Sequence, residues 1–490
     1  MNQDDTRIQL VLISHTNAGK TTLARTLLGA DMGEVRDAAH VTTLSESHLL
    51  LATQAGDQLR LWDTPGFGDS VRLFKRLGLS GNPIGWFLRE VVDRYQDRPF
   101  WLSQQAMRTA RDEADVVLYL VNAAEHPKDT GYLAPEMKIL QWLAKPVVVL
   151  LNQMGPPRPH AQEQLEQQQW TDHLAEYPVV RKVLPMDAFA RCWTHEQVFF
   201  EAVNAVLPAA KKSAYARLLE KWKQDNEQRF HAAMALIARQ LVTAARDGQA
   251  VQPGGTSFAG PLMKLVGMTR DRDARQVQKA LDELVTRMNA AIGATTAELL
   301  RLYRLDPGSA ATINERISHG FVVRAPVDTG QAGVLGGLLS GAATGLSADL
   351  MTGGLSFGAG ALVGALVGAL TFSGAAWAFN ATTDRNQSRL QFSDAFLRNL
   401  VVTALLRYLA VAHFGRGRGN FVEGEAPPFW QAEVEAVLAD NEKALSQAWQ
   451  SARTASKPEL AIDALAASLN RIASLILARL YPPTSPAPGA

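Results

Sequence analysis

The chain has 490 residues, with 49 Lys and Arg against 48 Asp and Glu, so its net charge of +1 gives no reason to expect a polyanionic partner drawn in by bulk electrostatics. Its 47% hydrophobic and 20% charged content is that of a globular chain long enough for about two to four domains. The single cysteine, Cys192, excludes an intramolecular disulfide and any cysteine metal cluster, and the start M-N-Q-D-D-T-R lacks the basic and apolar regions of a signal peptide, which implies a cytoplasmic start.

In chain order, the apolar, β-branched run Ile8–Ile13 predicts a strand, and T-L-A-R-T-L-L-G predicts a helix stopped at Gly29. Between them, residues 14–21 read S-H-T-N-A-G-K-T, a phosphate-binding loop with Ser14 where the pattern has Gly. Backbone amides and the positive helix end would cradle phosphates there, with Lys20 reaching the β- and γ-phosphates and the Thr21 hydroxyl ligating Mg²⁺. Ser14 is expected to close the loop with slight strain. His15 reads as a surface histidine or a phosphate contact. His40-Val41-Thr42-Thr43 lies where a switch loop brings a Thr to Mg²⁺ and the γ-phosphate. Alternating Leu59 and Leu61 predict a half-buried strand ending in Asp63-Thr64-Pro65-Gly66. Asp63 is placed to hold the Mg²⁺ water shell, and the Gly66 amide to approach the γ-phosphate.

These stretches resemble the TrmE–Era–EngA–septin class of bacterial GTPases over about residues 5 to 208. The match is carried by Asn17, Gly19, Lys20, Thr21, Thr42 or Thr43, Asp63 and Gly66. The resemblance implies a P-loop GTPase domain, α/β with a mostly parallel sheet and flanking helices, that takes GTP with Mg²⁺. Its nucleotide contacts would come from Asn17, Ala18, Gly19, Lys20, Thr21, Thr22, Gly66, Asn152 and Asp187. Thr21, Thr42, Thr43 and Asp63 would hold the metal, and Lys20 and Thr43 would serve the chemistry. Some members of the class use a potassium ion held by the residue matching Asn17, which equally reads as a loop-stabilising amide.

Two departures bear on that chemistry. Phe67 stands where Ras-like enzymes place a water-orienting Gln, so intrinsic hydrolysis is expected to be slow. The strand Pro146–Leu151 ends in Asn152-Gln153-Met154-Gly155 where the class has N-K-x-D, which removes the carboxylate that selects guanine. Met186-Asp187-Ala188-Phe189 is the candidate loop over the base.

A helical insertion is expected at about 69–112. From Pro208 onward the pattern predicts helices only: Ala209–Asp247, Asp273–Leu305, Leu390–His413, Trp430–Ala452 and Leu460–Leu480. The expected divisions are 1–208, 209–325, 326–383, 384–482 and a disordered tail at 483–490. This C-terminal part resembles a domain of unknown function found fused to such GTPases in proteobacteria.

From Thr329 to Thr383 the only charged side chain is Asp349, and glycines recur at 333, 337, 341, 345, 360, 364 and 368. Leu350–Phe379 carries no charge, and a bilayer core needs about 20 helical residues. A reversibly inserting hairpin at the cytoplasmic face of the inner membrane is expected, with a tightly packed soluble hairpin as the alternative. The tract Gly415–Gly419 has two arginines, too few for RNA affinity. The expected partners are GTP or GDP, a lipid bilayer and a second copy of the chain, with no nucleic acid. The competing functions are a nucleotide switch at the membrane, a soluble GTPase acting on RNA or ribosomes, and a nucleotide-binding scaffold without turnover.

Overall fold

The computed structural model describes residues 5–28, 45–68, 70–77, 97–155, 158, 160–186, 193–251, 271–305, 379–384, 387–392, 394–413 and 428–481. They form two compact units, the first taken from Met1–Glu227 and Ala412–Gly424 and the second from Gln228–Val411 and Glu425–Ala490.

In the first unit, strands β1 (Arg7–Ser14), β2 (Glu46–Ala52), β3 (Gln58–Asp63), β4 (Val116–Asn122), β5 (Val147–Asn152) and β6 (Val180–Pro185) make one six-stranded sheet in the order β2-β3-β1-β4-β5-β6. β2 is antiparallel to β3, and every other pairing is parallel. Helices α1 (Lys20–Leu28), α2 (Ser70–Leu77), α3 (Arg98–Glu113), α4 (Leu133–Leu143), α5 (His160–Leu174) and α6 (Trp193–Val206) flank it. The central strands are apolar throughout because both faces are covered. Val11 and Ile13 join the core with α2 to α5, while Leu10 and Leu12 join the one with α1 and α6. Strand order reverses about β1, so the carboxyl ends of β1, β3 and β4 bound the crevice where an open α/β sheet takes ligands.

The first unit extends past residue 208. Helix α7 (Ala209–Arg246) starts there, and its Ala214, Tyr215, Leu218 and Trp222 are part of the sheet's core. Arg217 forks onto the fully buried Asp57 carboxylate in the β2–β3 turn, at 2.8 and 2.6 Å.

The second unit is helical, as expected, but strands do not disappear after Pro208. β7 (Gly248–Val251), β8 (Phe379–Asp384) and β9 (Gln387–Phe392) form an antiparallel sheet in the order β7-β9-β8. This corrects two helical expectations. Phe379–Thr383 belongs to β8 and so leaves the glycine-rich hairpin, and residues 390–392 belong to β9. Such short strands have too few alternating residues to compete with helical periodicity in sequence; pairing across distant segments makes them.

Helices α8 (Asp271–Leu302), α9 (Asp394–Ala412), α10 (Pro428–Asp440), α11 (Glu442–Thr454) and α12 (Pro458–Leu480) complete the unit. The Trp430–Ala452 segment is two helices, broken at Asn441. Within α9, Leu400–Val411 is buried without a gap, which marks it as the helix at the centre of the packing. The rest of the glycine-rich hairpin, the tail and the Gly415–Gly419 tract lie outside the described residues.

Candidate functional site

The octet closes a loop between β1 and α1. Asn17 (φ 67°) and Gly19 (φ +87°) are in the left-handed region, which turns successive amides toward one concave side. Gly19 is required twice over, because a Cβ there would also lie 2.6 Å from Asn152 Nδ2. Asparagine tolerates the left-handed region better than most residues, so Asn17 has a conformational reason to be where it is. Its side chain is exposed.

Ser14 does not behave as expected. It is the last residue of β1, in register with Leu120, and its φ is not positive, so no glycine-specific backbone is needed. Its hydroxyl accepts from Lys20 Nζ at 2.8 Å and donates to the His15 carbonyl. Lys20 is buried, which lowers its pKa, while the nearby Asp63 and Glu136 carboxylates oppose that shift.

Thr21 and Asp63 are in direct contact: Thr21 Oγ1 donates to Asp63 Oδ2 at 2.7 Å. Burial pushes the Asp63 carboxyl above its usual range, against the Thr21 hydrogen bond and the Lys20 charge. A desolvated carboxylate beside a hydroxyl is a hard-oxygen pair that a divalent cation would stabilise. Mg²⁺ is usually held by one or two such groups plus substrate phosphates.

Gly66 is beside them: a Cβ on it would be 3.1 Å from Lys20 Nζ. The next residue, Phe67, brings no polar side chain to the site. Phe67 does not face the crevice; its ring is fully buried in the core with Val11, Ile13 and Phe100. Its backbone ties the third strand's exit loop to the phosphate loop, donating to Ser14 O at 2.9 Å and accepting from Thr16 N at 3.2 Å and Thr16 Oγ1 at 2.7 Å.

Asn152, at the end of β5, is wholly buried and donates to Ala18 O at 2.8 Å, so it braces the phosphate loop. Gln153 (φ 59°) and Gly155 (φ +86°) turn the chain away after it. Thr22 is buried in the first turn of α1. Thr42, Thr43 and Asp187 lie outside the described residues.

Sequence reasoning missed Glu136. It is fully buried, accepts from Tyr119 OH at 2.6 Å, and bonds His15 Nδ1 at 2.7 Å. His15 also stacks on Tyr132, with ring centroids 4.2 Å apart. A Glu in the first turn of a helix is an ordinary start signal, so nothing in its sequence context marked this one.

Residues 180–474 match the family model described as "Domain of unknown function (DUF3482)". Residues 9–153 match the one described as "50S ribosome-binding GTPase". No curated protein matches the chain. A structure of Aquifex aeolicus Era bound to GDP and aluminium fluoride is similar at TM-score 0.30 and 14% identity, covering 61% of this chain and 98% of that one. Era in complex with MgGDPNP and a segment of 16S ribosomal RNA is similar at 0.31 and 15%, with the same coverage of 61% and 98%. An S. thermophilus NFeoB bound to GDP and aluminium fluoride follows at 0.24 and 15%, covering 48% of this chain and 73% of that one.

Proposed function

We propose, for a chain that belongs to the DUF3482 family and carries a GTP-hydrolysing P-loop domain at its N-terminus, that this domain is a slow, Mg²⁺-dependent switch. The observation that carries the reading is the convergence of Lys20, Thr21 and Asp63 at the carboxyl ends of β1 and β3, with Thr21 Oγ1 2.7 Å from Asp63 Oδ2.

In this reading the loop amides receive the phosphates. Lys20 exchanges its Ser14 acceptor for phosphate oxygens, a charge-assisted contact in a water-poor setting. Thr21 and Asp63 would hold Mg²⁺, which when bound would supply charge neutralisation to the phosphates. With the Phe67 ring in the core, no side chain at position 67 orients water, which supports a turnover on the order of 10⁻⁴ s⁻¹ without assistance. Thr43 is the proposed switch threonine, and Asp187 belongs to the proposed base-covering loop. The test is Mg²⁺-dependent GTP turnover in the parent against Asp63→Asn and Thr21→Ala. Both variants should lose the metal dependence, and full activity in either would overturn the metal assignment.

The switch is proposed to act at the inner membrane. The support is compositional: Leu350–Ala378 carries no charged residue, and small residues at four-residue spacing permit close helix contact in lipid. Flotation of the full chain with vesicles tests it; protein that stays wholly in the aqueous fraction refutes it. A second reading, action on a ribosome, is favoured by the ribosome-binding description of the matched family, and the expectation of no nucleic-acid partner gains no support.

A further inference from the structure

The second unit holds a cation that the switch reading leaves unused. Arg407 on α9 is 1% exposed and is among the largest fully buried side chains in the structure. It stands between Leu406 and Tyr408 in the helix buried at the centre of that unit. Its Nε and Nη2 meet no hydrogen-bond acceptor among the described residues. These two atoms form one edge of the guanidinium, the edge that pairs side-on with two oxygens of a single carboxylate or phosphate.

An uncompensated charge in an apolar interior is among the most destabilising things a fold can contain. Burial lowers the Arg407 pKa to about 10, which still leaves it charged at neutral pH. Aromatic rings converge at the same level of the helix. The Tyr408 ring meets Phe230 of α7 at 5.9 Å and Tyr303, just after α8, at 6.3 Å. Arg229 lies over Tyr303 at 5.7 Å, which brings a second cation to the cluster.

We infer that Arg407 anchors an oxyanion-binding site inside the helical unit, for a group presenting two oxygens to the Nε–Nη2 edge. A free phosphate or carboxylate and a phospholipid head group share that chemistry.

The test is thermal melting of the full chain, with GDP and Mg²⁺ saturating the phosphate loop. Inorganic phosphate, acetate and phosphatidylglycerol vesicles are added in turn at matched ionic strength. The parent should melt about 5 °C higher with at least one saturating probe, and the soluble and vesicle arms separate the two sources. Arg407→Met should lose that shift. Arg407→Lys, which keeps the charge without the fork, should lose most of it and serves if the Met variant does not fold. The proposal is overturned if no probe shifts the parent, or if the variants shift as much as the parent. A parent unmoved by any probe together with a lower-melting Arg407→Met would assign the pairing to an acidic side chain of the chain itself, which also overturns it.

Discussion

Lys20 in the first unit and Arg407 in the second are both buried cations, and the two are treated in opposite ways. Lys20 is surrounded by provision: the Ser14 hydroxyl accepts from it at 2.8 Å, and the Asp63 and Glu136 carboxylates act on it through their fields. Arg407 has no such company among the described residues, and desolvation alone shifts its pKa. Both charges are costly to bury. The difference is that β1, α1, β3 and α4 converge on the first, so compensation comes from four elements at once. The second sits in the C-terminal half of one helix, Asp394–Ala412, and its Nε and Nη2 meet no acceptor among the described residues. A buried cation in a motif is therefore partly self-sufficient before ligand arrives, whereas one in a helical core depends on what binds to it.

The sharpest way to break that comparison is to remove the compensated charge. Lys20→Ala should weaken nucleotide binding by at least tenfold, about 1.4 kcal/mol, read by calorimetric titration. Equal affinity in mutant and parent would remove the phosphate loop from the account.

Gly19→Ala tests whether the loop's shape, rather than the charge alone, makes the site. The substitution strains a backbone at φ +87° and drives a Cβ to 2.6 Å from the Asn152 amide. A stability loss of about 1–3 kcal/mol is expected in denaturant unfolding, together with loss of nucleotide binding through the Asn152–Ala18 brace. An unchanged midpoint would show that the loop relaxes without penalty.

Acid titration separates two carboxylates of opposite sign in the first unit. The hydrogen bonds from Arg217 hold the Asp57 carboxyl below its usual value of 3.8. Its stabilisation is therefore full above that value and is lost as pH falls through the depressed one. Asp57→Asn should melt below the parent at neutral pH, with the gap closing in acid. Burial raises Asp63 instead, so the stability present below its usual value of 3.8 is lost as pH rises from there through the raised value. Without Mg²⁺, Asp63→Asn should match or exceed the parent at neutral pH and gain nothing when Mg²⁺ is added. Melting curves across pH, with and without the metal, read both; parallel curves for the two variants would contradict the signs.

The smallest effect concerns Asn17. If its amide holds a potassium ion, turnover in KCl should exceed that in NaCl at matched ionic strength, and Asn17→Ala should abolish the difference. Equal rates in the two salts would reject the ion and leave the left-handed φ of 67° as the reason for asparagine.

By itself, the sequence determined the order strand, phosphate loop and helix, the strand ending in Asp63, and the helical character of the C-terminal half. All three rest on local periodicity and turn chemistry, which neighbouring residues carry with them. Even Gly19 was legible, because the loop pattern names it. What only the tertiary structure decided involves partners far apart in the chain. Ser14 receives Lys20 rather than straining the loop, and core packing decides where the Phe67 ring goes. Asn152 could be matched to a base contact by motif, but its bond to Ala18 crosses 134 positions. The His15–Glu136 pair spans 121 positions, and β7 pairs with β9 from about 140 residues away. Such pairings have no local period. They arise when distant elements share a core, and the cost of leaving polar groups unmatched there selects which residues meet.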